Sequence, residues 1–280
     1  MPPRRPGSHR GARRATALAS RLTPLAEDPS RSVVIVDFDG TLAPIVADPP
    51  AAAPLPHAGA VLARLVGRIG RVAVVSGRPV AFLRDALPVD GLALFGHYGV
   101  ERLDGDAVTT VAEARPWAEA VRTAVAEAEV AAEPDAELAG LFVERKGSLA
   151  VALHWRRHPD LGPAAVRLGR RLAAAHQLRL DPGRQTLELR PPLDVDKGSP
   201  VAELATGAHA ALVMGDDRGD LAAFAAAGRL VKEGRLGHLL RVAVRSSETP
   251  AELLHHADLA VDGAPGALDL LAELAGLLDG

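Results

Sequence analysis

Short apolar runs rich in β-branched residues alternate along the chain with stretches whose apolar residues follow helical spacing. Residues 33–36 read V-V-I-V without polar alternation, which is typical of a strand covered on both faces of a parallel sheet. Residues 72–75 are a second short β-branched run and residues 92–95 a third predicted strand, and helical spacing over residues 58–69 and 80–87 separates the three. This rhythm predicts right-handed strand–helix–strand crossovers and a parallel sheet.

The pattern changes in the middle of the chain and then returns. The middle part mixes helical spacing with alternating strands, at residues 116–130, 141–144, 150–155, 163–176 and 186–190. After it, a helix starts near Lys197, and strands at residues 210–214, 239–244 and 258–261 restore the parallel rhythm before a terminal helix. The sequence therefore predicts an α/β fold, a Rossmann-like parallel core with an inserted α+β domain.

Four segments follow from this pattern. We predict a first core part over residues 31–104, an inserted α+β domain over 105–193 and a second core part over 194–280. Residues 1–30 contain seven Arg or His side chains before the first acid, Glu27, mixed with Pro, Gly and Ser. They lack the apolar middle of a secretory signal, so they are predicted to be a disordered or lightly ordered basic tail.

Composition limits the classes of function. A chain of 280 residues with 48% hydrophobic residues can fill a sizeable core. A formal charge of −3 favours neither nucleic acid nor an anionic membrane surface as a partner. Cys is absent, which excludes disulfides, thiolate metal sites and Cys nucleophiles. No apolar run approaches the ~20 residues that span a bilayer, so a cytoplasmic location is expected, with a monomer as the favoured oligomeric state.

Two carboxylates follow the first predicted strand, in the segment D-F-D-G-T. Asp37 and Asp39 are two positions apart, so an extended backbone places them on the same side. Carboxylates that close repel each other, and either a proton or a cation must lie between them. The carboxyl ends of strands are where open α/β sheets bind ligands. An Asp-rich turn is the alternative, but the buried strand before it and Thr41 after it favour a functional site.

Two more residues have side chains that suit a phosphate group: one follows a predicted strand and the other begins a predicted helix. Ser76 follows the second strand, where its hydroxyl and the neighbouring N–H groups at a helix N-terminus would suit a phosphate oxygen, although an ordinary helix cap is the alternative. Lys197, in D-V-D-K-G, is one of only three Lys residues in an Arg-rich chain. Its compact point charge suits a phosphoryl oxygen, with a solvated surface Lys as the alternative.

A second acidic cluster follows the strand that ends near Met214. The segment G-D-D-R-G-D supplies Asp216, Asp217 and Asp220. Helix capping explains part of such a cluster. Together with Asp37 and Asp39, however, it predicts a site for a hard cation. Oxygen ligands without His or Cys indicate Mg²⁺ rather than zinc.

In order, the motifs D-F-D-G-T, S-G-R, K-G and G-D-D-x-x-D resemble the haloacid dehalogenase-like (HAD) phosphohydrolases, from Arg31 onward. The segments T-L-A-P-I-V-A-D-P, V-E-R-K-G-S and L-E-L-R-P-P narrow the resemblance to trehalose-phosphate phosphatases. The resemblance implies a HAD fold whose insert is a cap domain. It also implies Mg²⁺-dependent hydrolysis of a small sugar phosphate, trehalose 6-phosphate, at the last step of trehalose biosynthesis.

The resemblance also implies a role for each matching residue. Asp37 would attack phosphorus and form an aspartyl-phosphate, while Asp39 would protonate the leaving sugar oxygen and then activate water. Ser76, Lys197 and Thr41 would cradle the phosphoryl group. The implied Mg²⁺ site consists of Asp37 and Asp216, the backbone carbonyl of Asp39, and Asp217 and Asp220 in support.

In the cap, the resemblance assigns polar residues to the sugar. Glu144, Lys146 and Glu188 match positions that the family uses on sugar hydroxyls, although a salt-bridged surface is an equally open interpretation of Glu144 and Lys146. Arg78 would reach the phosphate or the cap, with a surface Arg as the alternative.

The chain departs from the resembled family at two motifs. Tyr98 stands where the family often has His before the Gly, and Gly219 and Leu221 stand where many members have Thr and Glu. Two other functions therefore stay open. One is a HAD phosphatase of another sugar phosphate, such as sucrose-phosphate or a glycosylglycerate phosphate. The other is a non-catalytic binder or regulatory partner of a synthase, which would be expected to lack Asp37 or Asp216.

Overall fold

The computed structural model describes residues 8–134 and 136–279, and they form a large mostly parallel sheet and a smaller antiparallel sheet. The strands are β1 Ser32–Val36, β2 Arg71–Val75, β3 Ala93–Gly96, β4 Glu101–Asp104, β5 Ala107–Thr110, β6 Phe142–Lys146, β7 Ala150–His154, β8 Arg179–Gly183, β9 Thr186–Arg190, β10 Ala210–Gly215, β11 His238–Arg245 and β12 Leu259–Asp262. The helices are α1 Ser8–Glu27, α2 Ala58–Val66, α3 Val80–Ala86, α4 Ala118–Ala131, α5 Gly162–His176, α6 Gly198–Ala205, α7 Asp220–Lys232, α8 Ala251–His256 and α9 Gly263–Leu277. Within the described ranges, no helix is long and apolar enough to cross a membrane.

The core sheet has the strand order β12-β11-β10-β1-β2-β3-β4-β5. All neighbours from β12 to β3 are parallel, and β4 and β5 add an antiparallel hairpin at one edge. β1 lies at the centre, between β10 and β2, and is buried along its whole length because helices cover both faces.

Alternate side chains of β1 belong to two separate apolar layers. Val34 and Val36 pack with residues of α1, α2, α3 and α9, whereas Val33 and Ile35 pack with residues of α6, α7 and α8. This alternation follows from the two-residue period of a strand. The uninterrupted apolar sequence of β1 thus reflects burial on both faces, as the pattern predicted.

The second sheet lies within the insert and has the antiparallel order β6-β7-β9-β8. Helices α4 and α5 cover one of its faces, where Val121 and Leu172 pack with Val151 and Leu189. This arrangement is the predicted α+β insert, and the predicted fold class is confirmed. We refer to it below as the cap.

Two strands near the predicted boundaries of the cap, β5 and β8, differ from the sequence prediction. The sequence placed residues from 105 onward in the insert, but β5 pairs with β4 and extends the core sheet. The boundary at residue 105 therefore falls in the turn of this hairpin. β8 was not predicted as a strand, because Pro182 and Gly183 break its pattern; Pro is tolerated there since β8 lies at the edge of its sheet.

The predicted disordered tail over residues 1–30 is wrong for most of its length. Ser8–Glu27 is helical, and the side chains of Leu22 and Leu25 are buried in the core layer that also contains α9. The basic composition of the first residues masked the apolar spacing of Leu18, Leu22 and Leu25, which places all three on one helix face. Residues 1–7 lie outside the described part of the chain.

Candidate active site

The adjacent ends of β1 and β10 bring the two acidic clusters together. These strands pair in register with Val36 opposite Met214, and the Asp37 N–H donates to the Met214 carbonyl over 3.0 Å. Asp37 and the segment after Gly215 therefore meet at the carboxyl edge of the sheet. The predicted meeting of distant motifs at this edge follows directly from parallel pairing.

Lys197 lies at the centre of the acidic cluster. Its Nζ is 2.8 Å from Asp37 Oδ1 and 2.8 Å from Asp220 Oδ1, and all three side chains are buried. Asp220 Oδ2 accepts the backbone N–H groups of Asp216 and Asp217, over 2.9 and 3.0 Å. Asp220 therefore holds both the Lys197 ammonium and the loop that carries the other two acids.

Two glycines let the carboxylates approach the backbone. A Cβ on Gly40, which has φ of +78°, would lie 2.1 Å from Asp216 Oδ2. A Cβ on Gly215 would lie 2.0 Å from the Asp220 carboxyl carbon. Both distances are far below van der Waals contact, so a larger residue at either position would displace a carboxylate of the cluster.

Burial and mutual repulsion shift the titration of these carboxyl groups. Burial, together with the charges of Asp217 and Asp39, raises the pKa of Asp37 to about 6 in spite of the Lys197 ammonium. Burial first, and then the charges of Asp37, Asp217 and Asp220, raise the pKa of Asp216 well above its usual value. The cluster therefore holds more negative charge than one ammonium group balances, which favours an additional cation.

The arrangement fits a divalent cation with oxygen ligands. One carboxylate oxygen each from Asp37, Asp216 and Asp220 lie within 4.8 Å of one another. The Asp216 carboxylate is buried, and the charges of Asp37, Asp217 and Asp220 repel it. Carboxylate oxygens without His or Cys suit Mg²⁺. The pairing of Asp220 with Lys197 leaves Asp37 and Asp216 as the better ligands.

Asp39 and Asp217 lie apart from this three-carboxylate group. The Asp39 carboxylate accepts two hydrogen bonds from Arg78, from Nε over 2.7 Å and from Nη2 over 2.8 Å. Asp217 Oδ1 accepts the Gly219 N–H over 2.8 Å and is 3.9 Å from Lys197 Nζ. Metal binding by Asp217 and by the backbone carbonyl of Asp39 stays a prediction.

Ser76 follows β2, the neighbour of β1, Thr41 follows Asp39 and Gly40, and both side chains are buried. The Ser76 hydroxyl accepts the Arg78 N–H over 3.2 Å. It does not lie at a helix N-terminus as predicted, because α3 begins only at Val80 with Pro79 as its first flanking residue. Thr41 Oγ1 has no hydrogen-bond partner in the described structure, and a buried hydroxyl in that state is suited to receive a ligand.

Of the three predicted cap residues, Glu144 and Glu188 contact core residues, and Lys146 contacts Glu188. Glu144 Oε1 accepts a hydrogen bond from Arg78 Nη1 over 3.1 Å, and Glu144 Oε2 is 2.9 Å from His154 Nε2. Lys146 Nζ donates to Glu188 Oε2 over 2.7 Å. Burial acts to raise the pKa of Glu144, but the His154 hydrogen bond and the charges of Lys146 and Arg78 outweigh it and hold that pKa low.

Comparison with known protein families supports the same interpretation of the chain. The family model described as Trehalose-phosphatase matches residues 35–253, which include every acidic residue of the site. The chain belongs to the trehalose-phosphatase family. The resemblance predicted from the motifs is thereby confirmed, and the antiparallel insert is the cap of this family's HAD-like architecture.

Individual relatives agree with this placement. The trehalose-phosphate phosphatase of Mycobacterium avium is 35% identical over 199 residues, which are 68% of this chain and 50% of the relative. An uncharacterized glycosyl hydrolase of Mycobacterium tuberculosis is 38% identical over 210 residues, 69% of this chain but 15% of that protein. The chain thus spans half or less of the length of these relatives.

The solved structures show the same fold. The C-terminal domain of the trehalose-6-phosphate phosphatase from Candida albicans superposes with a TM-score of 0.75 at 24% identity and covers 92% of this chain and 96% of that domain. At this level of identity the likeness concerns the fold alone. It supports the division into a parallel core and an antiparallel cap.

The sequence did not predict two residues of the candidate site in this member of the trehalose-phosphatase family. His154 contacts Glu144 because it lies near the end of β7, next to β6, in a register that pairs it with Phe142. Tyr98 was noted only as a departure, yet its hydroxyl donates to Glu188 Oε2 over 3.0 Å. Its position directly after β3, at the same sheet edge as Ser76, was the available signal.

Proposed function

We propose that this member of the trehalose-phosphatase family is a Mg²⁺-dependent phosphatase that hydrolyses trehalose 6-phosphate through an aspartyl-phosphate. The observation that carries the proposal is the contact of the buried Asp37 with Lys197 Nζ, next to the buried carboxylate of Asp216. A nucleophile, an ammonium group and a cation site then lie together beneath a cap with polar side chains.

The covalent step would use Asp37. A carboxylate oxygen of Asp37 attacks phosphorus, the bond from phosphorus to the sugar oxygen breaks, and Asp39 gives its proton to that oxygen. Asp39 then takes a proton from the water that attacks the aspartyl-phosphate, which releases inorganic phosphate and restores Asp37. The two hydrogen bonds from Arg78 hold the ionised Asp39 carboxylate in one orientation, which suits the second transfer, in which Asp39 takes a proton from water.

Asp37 and Asp216 would hold the Mg²⁺, with Asp220 beside them. When bound, the cation offsets the repulsion between carboxylates and phosphate and polarises phosphoryl oxygens. Lys197, fixed by Asp37 and Asp220, donates to a phosphoryl oxygen. Attraction by these acids outweighs burial and raises the pKa of Lys197 well above its usual value, so it stays charged.

The phosphoryl group would be cradled by Lys197, Ser76 and Thr41. The buried Thr41 hydroxyl has no partner in the described structure, and a phosphoryl oxygen supplies one. Positioning and charge stabilisation provide most of the catalysis in phosphoryl transfer. A cradle made of buried side chains on adjacent loops is suited to this purpose.

The cap would recognise the sugar through Glu144, Lys146 and Glu188. Their placement against Arg78 and Tyr98 of the core favours a sugar phosphate over a small phosphate ester. A HAD phosphatase of another sugar phosphate, such as sucrose-phosphate, is the second candidate, because Tyr98 occupies a position where the family often has His. The presence of both Asp37 and Asp216 disfavours a purely regulatory role. A cytoplasmic location and a monomeric state stay predictions.

The test is phosphate release from trehalose 6-phosphate, measured beside sucrose-, glucose- and mannose-phosphates with Mg²⁺ and with a chelator. We expect a preference for the trehalose ester that the chelator abolishes and that Asp37→Asn removes. Preference for another sugar phosphate would reassign the substrate and keep the mechanism. Full activity of Asp37→Asn would show that Asp37 is not the nucleophile.

A further inference from the structure

Tyr98 is held rigidly at the boundary between the core and the cap. It follows β3 in the left-handed region, with φ of +61°, and its N–H donates to the Ser76 carbonyl over 2.9 Å. A non-glycine residue in this region is uncommon and persists only where surrounding contacts hold it there. The backbone of Tyr98 is therefore set by the same loop that carries Ser76.

The ring of Tyr98 is fixed as well. A Cβ on Gly77 would lie 2.7 Å from the phenol Cζ and oxygen atoms, so the ring packs directly against the Gly77 backbone. The guanidinium carbon of Arg190 lies 4.9 Å from the ring centroid, within the range of a cation–π contact. These two contacts leave the phenol little freedom to change the direction of its hydroxyl.

The hydroxyl of Tyr98 reaches across to a cap glutamate. It donates to Glu188 Oε2 over 3.0 Å, and Lys146 Nζ donates to the same oxygen over 2.7 Å. The other oxygen, Glu188 Oε1, is buried and has no hydrogen-bond partner in the described structure. An unpaired buried carboxylate oxygen is costly, so its position indicates a missing donor.

Glu144, the other cap glutamate, differs from Glu188 in its hydrogen bonds. Both oxygens of Glu144 are occupied, Oε1 by Arg78 and Oε2 by His154. Of these two predicted sugar-binding carboxylates, only Glu188 thus has a buried oxygen without any hydrogen bond in the described structure. Which Glu188 oxygen that is depends on its two donors, Tyr98 of the core and Lys146 of the cap.

We propose that Tyr98 is a specificity-determining positioning residue: with Lys146, it occupies one oxygen of Glu188 and leaves the other to accept a hydroxyl of the sugar. The ligand chemistry is that of a polyhydroxyl group joined to the phosphate. Because Tyr98 belongs to the core and Glu188 to the cap, this orientation exists only while the cap lies against the core. The inference rests on the proposed sugar-phosphatase function and deepens it.

The decisive variant is Tyr98→Phe, which keeps the ring against Gly77 and Arg190 and removes only the hydroxyl. We expect KM for the preferred sugar phosphate to rise about tenfold, the scale of one hydrogen bond to a charged group. We expect kcat/KM for a small aryl phosphate to fall much less, since that substrate has no sugar hydroxyls. An equal loss on both substrates would mean that Tyr98 acts on the phosphate site, and would overturn the proposal.

A double-mutant cycle tests whether Tyr98 acts through Glu188. If it does, Tyr98→Phe has little further effect on KM in a Glu188→Ala background, whereas independent roles give additive effects and overturn the proposal. Thermal unfolding of each variant checks that folding is retained. A wild-type chain without turnover of any sugar phosphate would overturn both this proposal and the proposed function. An active wild-type chain with an unaffected Tyr98→Phe variant would overturn only this one.

Discussion

The Arg78 guanidinium holds the Asp39 carboxylate with two hydrogen bonds, from Nε over 2.7 Å and from Nη2 over 2.8 Å. Its remaining nitrogen, Nη1, donates to Glu144 of the cap over 3.1 Å. One buried side chain therefore orients the proposed acid–base residue and at the same time contacts the cap. Arg78 is thus not a surface Arg, and it does reach the cap, whereas its contact with the phosphate stays a prediction.

Arg78→Lys is expected to lower kcat for the sugar phosphate by about 100-fold, because an ammonium group cannot make the two parallel hydrogen bonds that fix Asp39. Hydrolysis of an aryl phosphate is expected to fall less, since its leaving group needs little protonation. Steady-state kinetics on both substrates measure the difference. Arg84→Lys, at an exposed position of α3, is the matched control. Near-normal sugar-phosphate turnover in Arg78→Lys would show that Asp39 needs no such support.

Asp216→Asn is expected to abolish the thermal stabilisation by Mg²⁺. A cation at 100 times its Kd adds about 2.7 kcal/mol to the free energy of unfolding, or about 5 °C or more in the wild-type chain. Because burial and the neighbouring carboxylates raise the pKa of Asp216, its ionised form destabilises the metal-free fold; this cost shrinks as pH falls below the raised pKa and is gone below the ordinary pKa of the group. The metal-free variant should therefore be no less stable than the wild type.

The control for this measurement is Asp269→Asn, which removes an exposed carboxylate on α9. It should keep the full Mg²⁺-dependent rise in melting temperature. If Asp216→Asn retained the same rise, the cation would bind elsewhere, and the assignment of Asp216 as a ligand would be wrong.

The architecture and the meeting of the acidic motifs were predictable because they depend on periodicity and on strand ends. β-branched runs such as V-V-I-V signal doubly covered strands, and parallel pairing of β1 with β10 then places Asp37 beside Asp216. The separate cap was predictable from the change to alternating strands. Patterns of many residues predict these features, so a single residue that departs from a pattern does not change the prediction.

Contacts between the core and the cap were not predictable in the same way. The Tyr98–Glu188 and Arg78–Glu144 contacts join residues 90 and 66 positions apart, and they depend on how two sheets face each other. The docking of α1 was not predicted for a different reason, because the basic composition of the segment obscures its apolar spacing. Its charged first turns gave the appearance of a disordered segment, although three Leu residues later in the helix share one face.

Lys146→Ala is expected to reduce turnover of the sugar phosphate far more than that of an aryl phosphate. Lys146 Nζ donates to Glu188 Oε2 over 2.7 Å, so its loss removes one of the two groups that orient Glu188 and leaves a buried carboxylate less well paired. The ratio of kcat/KM values for the two substrates measures the effect. Lys232→Ala, at the exposed end of α7, is the control and should leave this ratio unchanged. An equal loss on both substrates in Lys146→Ala would mean that the cap does not read the sugar.

Leu22→Ala tests the docking of α1, since this side chain is fully buried in the core layer shared with α9. Removing a buried Leu side chain costs about 2–5 kcal/mol, through lost transfer free energy and the cavity that remains. Urea unfolding should therefore show a lower midpoint with little change in slope. Val130→Ala, whose side chain on α4 is largely exposed, is the control and should change stability by less than about 0.5 kcal/mol. If both variants unfolded at the wild-type midpoint, α1 would contribute nothing to the core, and the N-terminal segment would behave as the tail that its composition suggested.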